Sequence, residues 1–297
     1  MPGHSTRPCH GCHGHARAFA PRRRHIQNLV RVVRGGRVVR RTRPGPEVSR
    51  GLDLTEGWVR LWTVTWSFDG SELCCPVSEL SSVPMRGAEP VRHFSWHPRQ
   101  GHRPGLELLV TTGQQHGFES LEERSFLRAL DFAGAARGVL SQPFRIRFKT
   151  AGGKTRSHIP DFLVVMPGGC WLVDVRPLHL AGKEEDQVCF AAADELARAA
   201  GWQYSVVAGW KPQVLPALEA MRAESRPMTH LLGIEGQVLG LLEHGGMTFG
   251  ELVGATSLPV VARAHALHLL WHRRIGIDLS SPLLDRSFVA LAGERPW

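Results

Sequence analysis

Residues 157–177 read Ser157-His158-Ile159-Pro160-Asp161-Phe162-Leu163-Val164-Val165-Met166-Pro167-Gly168-Gly169-Cys170-Trp171-Leu172-Val173-Asp174-Val175-Arg176-Pro177. Two short apolar runs, Phe162 to Met166 and Trp171 to Val173, are bounded by Pro and Gly, and this predicts two buried strands. Their connection, Pro167-Gly168-Gly169, is too short for a crossover helix, so the strands are expected to pair antiparallel as a hairpin. That pairing brings Asp161, which opens the first strand, toward Asp174, which ends the second.

Working outward, Phe118-Glu119-Ser120-Leu121-Glu122-Glu123-Arg124-Ser125-Phe126-Leu127 carries helical apolar spacing with Glu123 in its first turns, and Ser141-Gln142-Pro143-Phe144 opens another strand. Downstream, Val188, Ala191, Ala192, Leu196 and Ala199 give Glu184 to Ala200 one apolar side, and Gly201 stops that helix. Tyr204 to Val207 reads as a buried strand and Pro212 to Ala223 as a helix. The expected class is α/β, a mixed sheet flanked by helices.

Carboxylates converging from a helix and two strands, with few soft ligands nearby, suit Mg²⁺ or Mn²⁺, hard ions that keep waters and bind phosphate oxygens. Such an ion makes water a better nucleophile and stabilises charge on the phosphoryl oxygens of a phosphodiester. Arg176, two residues beyond Asp174, falls on the same face of its strand and offers a cation. Its guanidinium stays protonated, which excludes a general base. It can still grip a phosphate oxygen through two hydrogen bonds and stabilise transition-state charge. Arg156 and His158, just before the acidic pair, either touch phosphate or are simply the exposed pair at a strand end.

From about Pro90 to Trp210 the chain resembles the TnsA-like endonuclease subunits of heteromeric cut-and-paste transposases, themselves similar to restriction endonucleases with a PD-(D/E)xK site. The matching motifs, in order, are the helix with Glu119, Ser120, Glu123 and Phe126, then Gln142-Pro143, Pro160-Asp161, and Asp174-Val175-Arg176-Pro177. The resemblance implies a restriction-endonuclease-like core that hydrolyses one strand of double-stranded DNA at transposon ends with Mg (or Mn). Glu123, Asp161 and Asp174 would be the metal ligands, and Arg176 would complete the catalytic set in the place of the family's usual lysine. Its implied partners are an integrase-fold transposase subunit and a transposition ATPase. Two other duties fit the same residues: a restriction or repair nuclease of this core, and a catalytically silent DNA-binding or assembly subunit in which Arg176 marks the loss of chemistry.

Each residue also has a purely structural reading. Ser120 and Glu123 have the spacing of a capping box. Pro-Asp is a common turn pair, and an Asp ending a strand often caps a helix. Order and spacing together favour the site.

The chain has 297 residues, 42% of them hydrophobic, and nine Trp, enough for a sizeable core and more than one domain. No charged-then-apolar leader opens it and no apolar run reaches membrane-spanning length, so a cytoplasmic protein with no membrane partner is expected. The six cysteines form no regular framework, and adjacent Cys74 and Cys75 are poor partners for each other, so reduced thiols are expected. The net charge of +9 is uneven: residues 1–50 hold 12 of the 36 Lys+Arg and only Glu47 of the 27 acids, leaving 24 cations against 26 acids elsewhere. Residues 1–50 are thus expected to be a basic, disordered arm, either making salt-sensitive phosphate contacts or serving only as a solubilising leader or a misassigned start. Within it, Cys9, His10, Cys12, His13 and His15 supply half of a zinc finger without a second pair.

Residues 51–117 are expected to form a β-rich module, with Trp58 to Trp66 alternating before an Asp69-Gly70 hairpin signal. The nuclease-type core is expected over 118–225. Residues 226–297 carry helix-turn-helix punctuation: a short helix from Phe249 to Val253, a turn, and a second helix from Pro259 to Arg274 begun by proline. Val260, Ala264, Leu267, Leu270 and Trp271 read as its apolar stripe, with His265, His268 and His272 opposite. Ile275 to Leu279 and Ser287 to Leu291 would pair as a wing, giving a winged-helix-like domain. From Pro227 onward five Arg face six acids, a weak basicity that suits protein docking as well as base readout.

Overall fold

A computed structural model of the protein describes residues 30–34, 37–38, 51–92, 104–229 and 232–293. Strands β1 (Val30–Arg34) and β2 (Arg37–Val38) come first, then helix α1 (Trp58–Leu61), strands β3 (Thr63–Phe68) and β4 (Ser71–Pro76), a 3-10 turn over Val77–Ser82, and β5 (Ala88–Glu89). The middle of the chain forms β6 (Gly105–Leu109), β7 (Gln114–Phe118), α2 (Leu121–Ala133), β8 (Gly138–Ser141), β9 (Arg145–Lys149), β10 (Thr155–His158), β11 (Phe162–Met166), β12 (Gly169–Arg176), α3 (Glu184–Ala199), β13 (Gln203–Trp210) and α4 (Val214–Ala223). Helix α5 (Ile234–Leu242), β14 (Met247–Thr248), α6 (Phe249–Gly254), α7 (Pro259–Trp271), β15 (Ile275–Ile277) and β16 (Phe288–Leu291) complete it. The protein is mixed α/β, with several sheets.

Among the described residues the central sheet runs β2-β1-β13-β12-β11-β8. The hairpin expected from Pro167-Gly168-Gly169 is present: β11 and β12 pair antiparallel, Phe162 opposite Val173 and Met166 opposite Gly169. Strand β8 joins the far side of β11 antiparallel. Helix α3 then crosses over, so that β13 lies parallel to β12, with Asp174 beside Val206. Strands β1 and β2 stand where the sequence predicted an irregular arm, β1 pairing with β13. The rest of residues 1–50, including the Cys9 to His15 cluster, lies outside the described residues.

A second sheet, β10-β9-β3-β4, with β5 also on β3, joins the N-terminal module to the middle of the chain. Strands β9 and β10 are a hairpin inserted between β8 and β11, and Gln142-Pro143 opens it. The Asp69-Gly70 turn links β3 and β4 with φ of 47° and 74°, the positive pair that a two-residue hairpin turn requires. Trp58 to Leu61, expected as strand, is one helical turn, after Gly57 at φ 80°. The expected alternation holds only from Thr63 onward.

Two apolar clusters flank the central sheet. On one side α2 packs Phe126 against Phe162 and Trp171, at ring separations of 5.3 and 5.7 Å, and this cluster continues through α4 to Leu270, Trp271 and Ile275. On the other, α3 and the second sheet bury Trp62, Trp66, Phe144, Ile146 and Phe148 against Leu163 and Leu172. The strand alternation explains the division, since Phe162 and Leu163 point to opposite faces.

The C-terminal segment has the expected helices, and β15 pairs with β16. Its apolar side is another matter. Val260 is 89% exposed, whereas His265 is buried beside Ala262, Ala266 and Leu269. Helix α7 is apolar around most of its circumference, so packing against α4, α5 and α6 selects the buried side, which periodicity cannot do. His268 Nδ1 and His272 Nε2 meet the carbonyls of Glu224 and Ser225 at 2.7 and 2.9 Å, satisfying the frayed end of α4. Among the described residues no helix is long and apolar enough to cross a membrane.

Candidate functional site

Asp161 precedes β11 and extends its register, so it stands across from Asp174 on β12. Asp161 Oδ2 accepts the Val175 amide at 2.6 Å, and the Asp161 carbonyl accepts the Gln142 amide at 2.7 Å. Its carboxyl is densely surrounded while part of the residue still meets solvent. Burial, then the negative charges of Glu123 and of Asp174, hold that carboxyl well above the usual aspartate value, against the Val175 hydrogen bond and the charge of Arg176. Asp161 is therefore the electrostatic neighbour of both Glu123 and Asp174.

Glu123 serves the start of α2 at the same time. Ser120 caps the helix by accepting the Glu123 amide at 3.1 Å, and the Glu123 carboxylate accepts the Ser120 hydroxyl and the Glu119 amide, each at 2.8 Å. The reciprocal cap is thus made, with the returned bond on Glu119 in place of Ser120. Burial raises Glu123 above its ordinary value, and these two hydrogen bonds oppose the rise.

Asp174 is 2% exposed and richly bonded. His158 Nε2 lies 3.0 and 3.1 Å from its two carboxylate oxygens, and the Tyr204 hydroxyl donates to Oδ2 at 2.5 Å. Burial, and next the Asp174 charge, hold the Tyr204 phenol well above the ordinary tyrosine value, so it remains a donor. Phe190 of α3 closes the network edge-on to the His158 ring. Sequence reasoning assigned His158 to phosphate and did not single out Tyr204. The signal existed: Tyr204 is the only tyrosine of the chain, in a strand expected to be buried, and a buried phenol needs a partner.

Arg176 does not reach into the cluster with its guanidinium. Its Nε and Nη2 bond the two oxygens of Asp186 on α3, at 3.1 and 2.8 Å, and this pairing raises its already high pKa. Gln142 is the remaining oddity. It is 2% exposed, adopts φ 46°, accepts Arg92 Nε on Oε1 at 3.3 Å, and among the described residues its Nε2 meets no partner. A left-handed non-glycine residue bonded to the backbone of Asp161 is strain held where the carboxylates meet.

The sequence matches no protein-family model and no curated protein.

Among the described residues no three His, Cys, Asp or Glu side chains are grouped to hold one ion by themselves. Mg²⁺ does not require such a cage, since it is commonly held by one or two carboxylates, with waters and substrate phosphate filling the other positions. The mutually repelling Asp161 and Asp174, both oxygen donors, fit that pattern, with Glu123 beside them. To accept an ion, Asp174 would offer a lone pair that His158 and Tyr204 leave unused, or exchange one of those bonds.

Proposed function

We propose that this chain is a metal-dependent DNA endonuclease, acting as the nuclease subunit of a heteromeric transposase that hydrolyses one strand at transposon ends. The observation that carries the reading is the Asp161 carboxyl, raised by burial and by Glu123 and Asp174, at the mouth of an antiparallel hairpin. Like charges crowded in a partly desolvated site are stabilised by a cation and are costly without one. The order helix, three-strand meander, crossover helix, parallel strand also agrees with the restriction-endonuclease-like core that the motifs imply.

Asp161 and Asp174 would hold Mg²⁺ or Mn²⁺, with Glu123 ordering the acidic shell. Bound there, the ion would supply an activated water and stabilise charge on the scissile phosphate. The protein's own contribution is positional. The Val175 amide and the Gln142 amide fix Asp161, while His158 and Tyr204 fix the Asp174 carboxylate. Arg176 stays protonated, so its role is restricted to holding charge. Double-stranded DNA, an integrase-fold transposase and a transposition ATPase are the partners of this reading.

The test is strand cleavage of a labelled transposon-end duplex by this protein together with an integrase-fold transposase, where one is encoded beside it, in Mg²⁺, comparing wild type with Asp161→Ala. One-strand cleavage lost in the variant is the expected result. Identical products from both proteins would favour the second reading, a catalytically silent assembly subunit. That reading has an observation behind it: Arg176 is paired with Asp186 and Asp174 with His158 and Tyr204, a closed arrangement that needs no ion.

A further inference from the structure

Residues 145–158 form the hairpin β9–β10 and read Arg-Ile-Arg-Phe-Lys-Thr-Ala-Gly-Gly-Lys-Thr-Arg-Ser-His. They contain five Lys+Arg and no acid, although residues 51–297 as a whole hold 24 cations against 26 acids. The strand pleat sorts these side chains. Ile146 and Phe148 are buried in the core, whereas Arg147 and Lys149 are exposed and Arg145 lies with them on the outer face. Alternate residues of a strand repeat at about 6.6 Å, so the three cations form a straight row.

Register surrounds that row with hydroxyls. Arg145 pairs with Thr65, Arg147 stands between Thr63 and Ser157, and Lys149 is opposite Thr155. Cations spaced along a line with hydroxyl donors beside them are the groups that bind sugar-phosphate backbone without reading sequence. None of the exposed large hydrophobic residues of the protein lies on β9 or β10, so the face lacks the apolar centre of a protein-docking patch. Among the described residues three acids are near. Glu72 lies 3.6 Å from Arg145 as a surface pair, Glu89, opposite Ser67 on the edge of β3 that also pairs Arg145, accepts the Gly70 amide at 3.3 Å, and Asp53, whose amide bonds the Lys149 carbonyl, turns its carboxylate to the Thr55 amide. The register sets none of them opposite Arg147.

The hairpin also leads to the carboxylates. Strand β10 ends at His158, which bonds Asp174, and three residues later the chain reaches Asp161.

We infer that the outer face of β9 and β10, centred on Arg147 and Lys149, binds the phosphate backbone of duplex DNA, while His158, opposite Ile146, turns to the other face of the same hairpin. The choice of DNA as partner rests on the nuclease reading. The binding itself is measured without catalysis.

The experiment is fluorescence anisotropy of a labelled random-sequence duplex with the full chain, in EDTA, across a salt series. Arg147→Thr/Lys149→Thr keeps β-branched residues at outward positions, and an unchanged thermal midpoint confirms the fold. The double variant is expected to bind at least tenfold more weakly, with a salt slope shallower by about 2, near one for each phosphate that is no longer neutralised. A control with the same charge change, Arg226→Gln/Arg286→Gln at exposed positions of the C-terminal segment, is expected to bind within about twofold of wild type. Equal losses in both variants would reduce the effect to bulk charge and overturn the inference. So would an unchanged slope in the hairpin variant, or hairpin-dependent binding of poly-glutamate without binding of duplex, which would point to an acidic protein instead. If the hairpin is required for binding while Asp161→Ala leaves cleavage intact, the surface stands and the nuclease assignment falls.

Discussion

Tyr204→Phe isolates one bond at the centre of the site. Phenylalanine keeps the ring and its packing and removes only the hydroxyl that donates to Asp174 Oδ2. Asp174 is 2% exposed, so water does not replace the lost donor, and among the described residues His158 is the side chain left to bond the carboxylate. A hydrogen bond to a charged group contributes about 1.5–3 kcal/mol, with unsatisfied buried acceptors toward the upper end. At about 2–4 °C per kcal/mol for a large domain, the midpoint should fall by about 3–12 °C. Urea denaturation followed by tryptophan fluorescence measures the change, and a cycle with His158→Ala should give a non-additive coupling, because both side chains bond one carboxylate. The substitution has a second effect if the site takes an ion: it removes one of the two partners of Oδ2, leaving His158 there, so Mg²⁺ should stabilise Tyr204→Phe more than wild type. A stability change below about 0.5 kcal/mol, with additive behaviour in the cycle, would refute the view of Asp174 as the hub of a buried network.

Asp161→Asn preserves an acceptor for the Val175 amide and removes the charge, so the metal-free variant should be more stable by about 1–2 kcal/mol, as relief of a strained functional site usually is; chemical denaturation checks this. Because the folded-state value of Asp161 is raised, its favourable contribution is full below the ordinary aspartate value and declines as pH rises toward the raised one. The gap between variant and wild type should therefore widen from acid to neutral pH, and a constant gap across denaturation curves would contradict the assigned shift. Arg176→Ala should cost less than about 1 kcal/mol in a melt, since its pair with Asp186 is partly exposed. Phe126→Ala, at a fully buried ring packed on Phe162 and Trp171, should cost about 3–5 kcal/mol by the same denaturation assay.

The sequence by itself determined the local architecture around the acids. Pro167-Gly168-Gly169 leaves room only for a turn, so the hairpin and the opposition of Asp161 and Asp174 follow from chain length alone. Ser120 and Glu123 allowed two readings, a helix cap or an acid of the site; the structure makes the cap, and the Glu123 charge also acts on Asp161. Helical spacing likewise marked α3, and Pro259 the start of α7.

Tertiary structure decided which partner each polar group took. On sequence spacing alone Arg176 shares a face with Asp174, yet its long side chain bends to Asp186, a residue brought near only when α3 packs on the sheet. His158 and Tyr204 stand 16 and 30 residues from Asp174 and meet it because β10 and β13 converge there. The buried side of α7 was open for a related reason: a helix apolar on most sides fits several neighbours, and the choice that buries His265 and exposes Val260 comes from the helices it packs against. Periodicity is a property of one segment. Hydrogen-bond choice and the sorting of ambiguous faces depend on groups far apart in the chain, and only the folded protein brings those together.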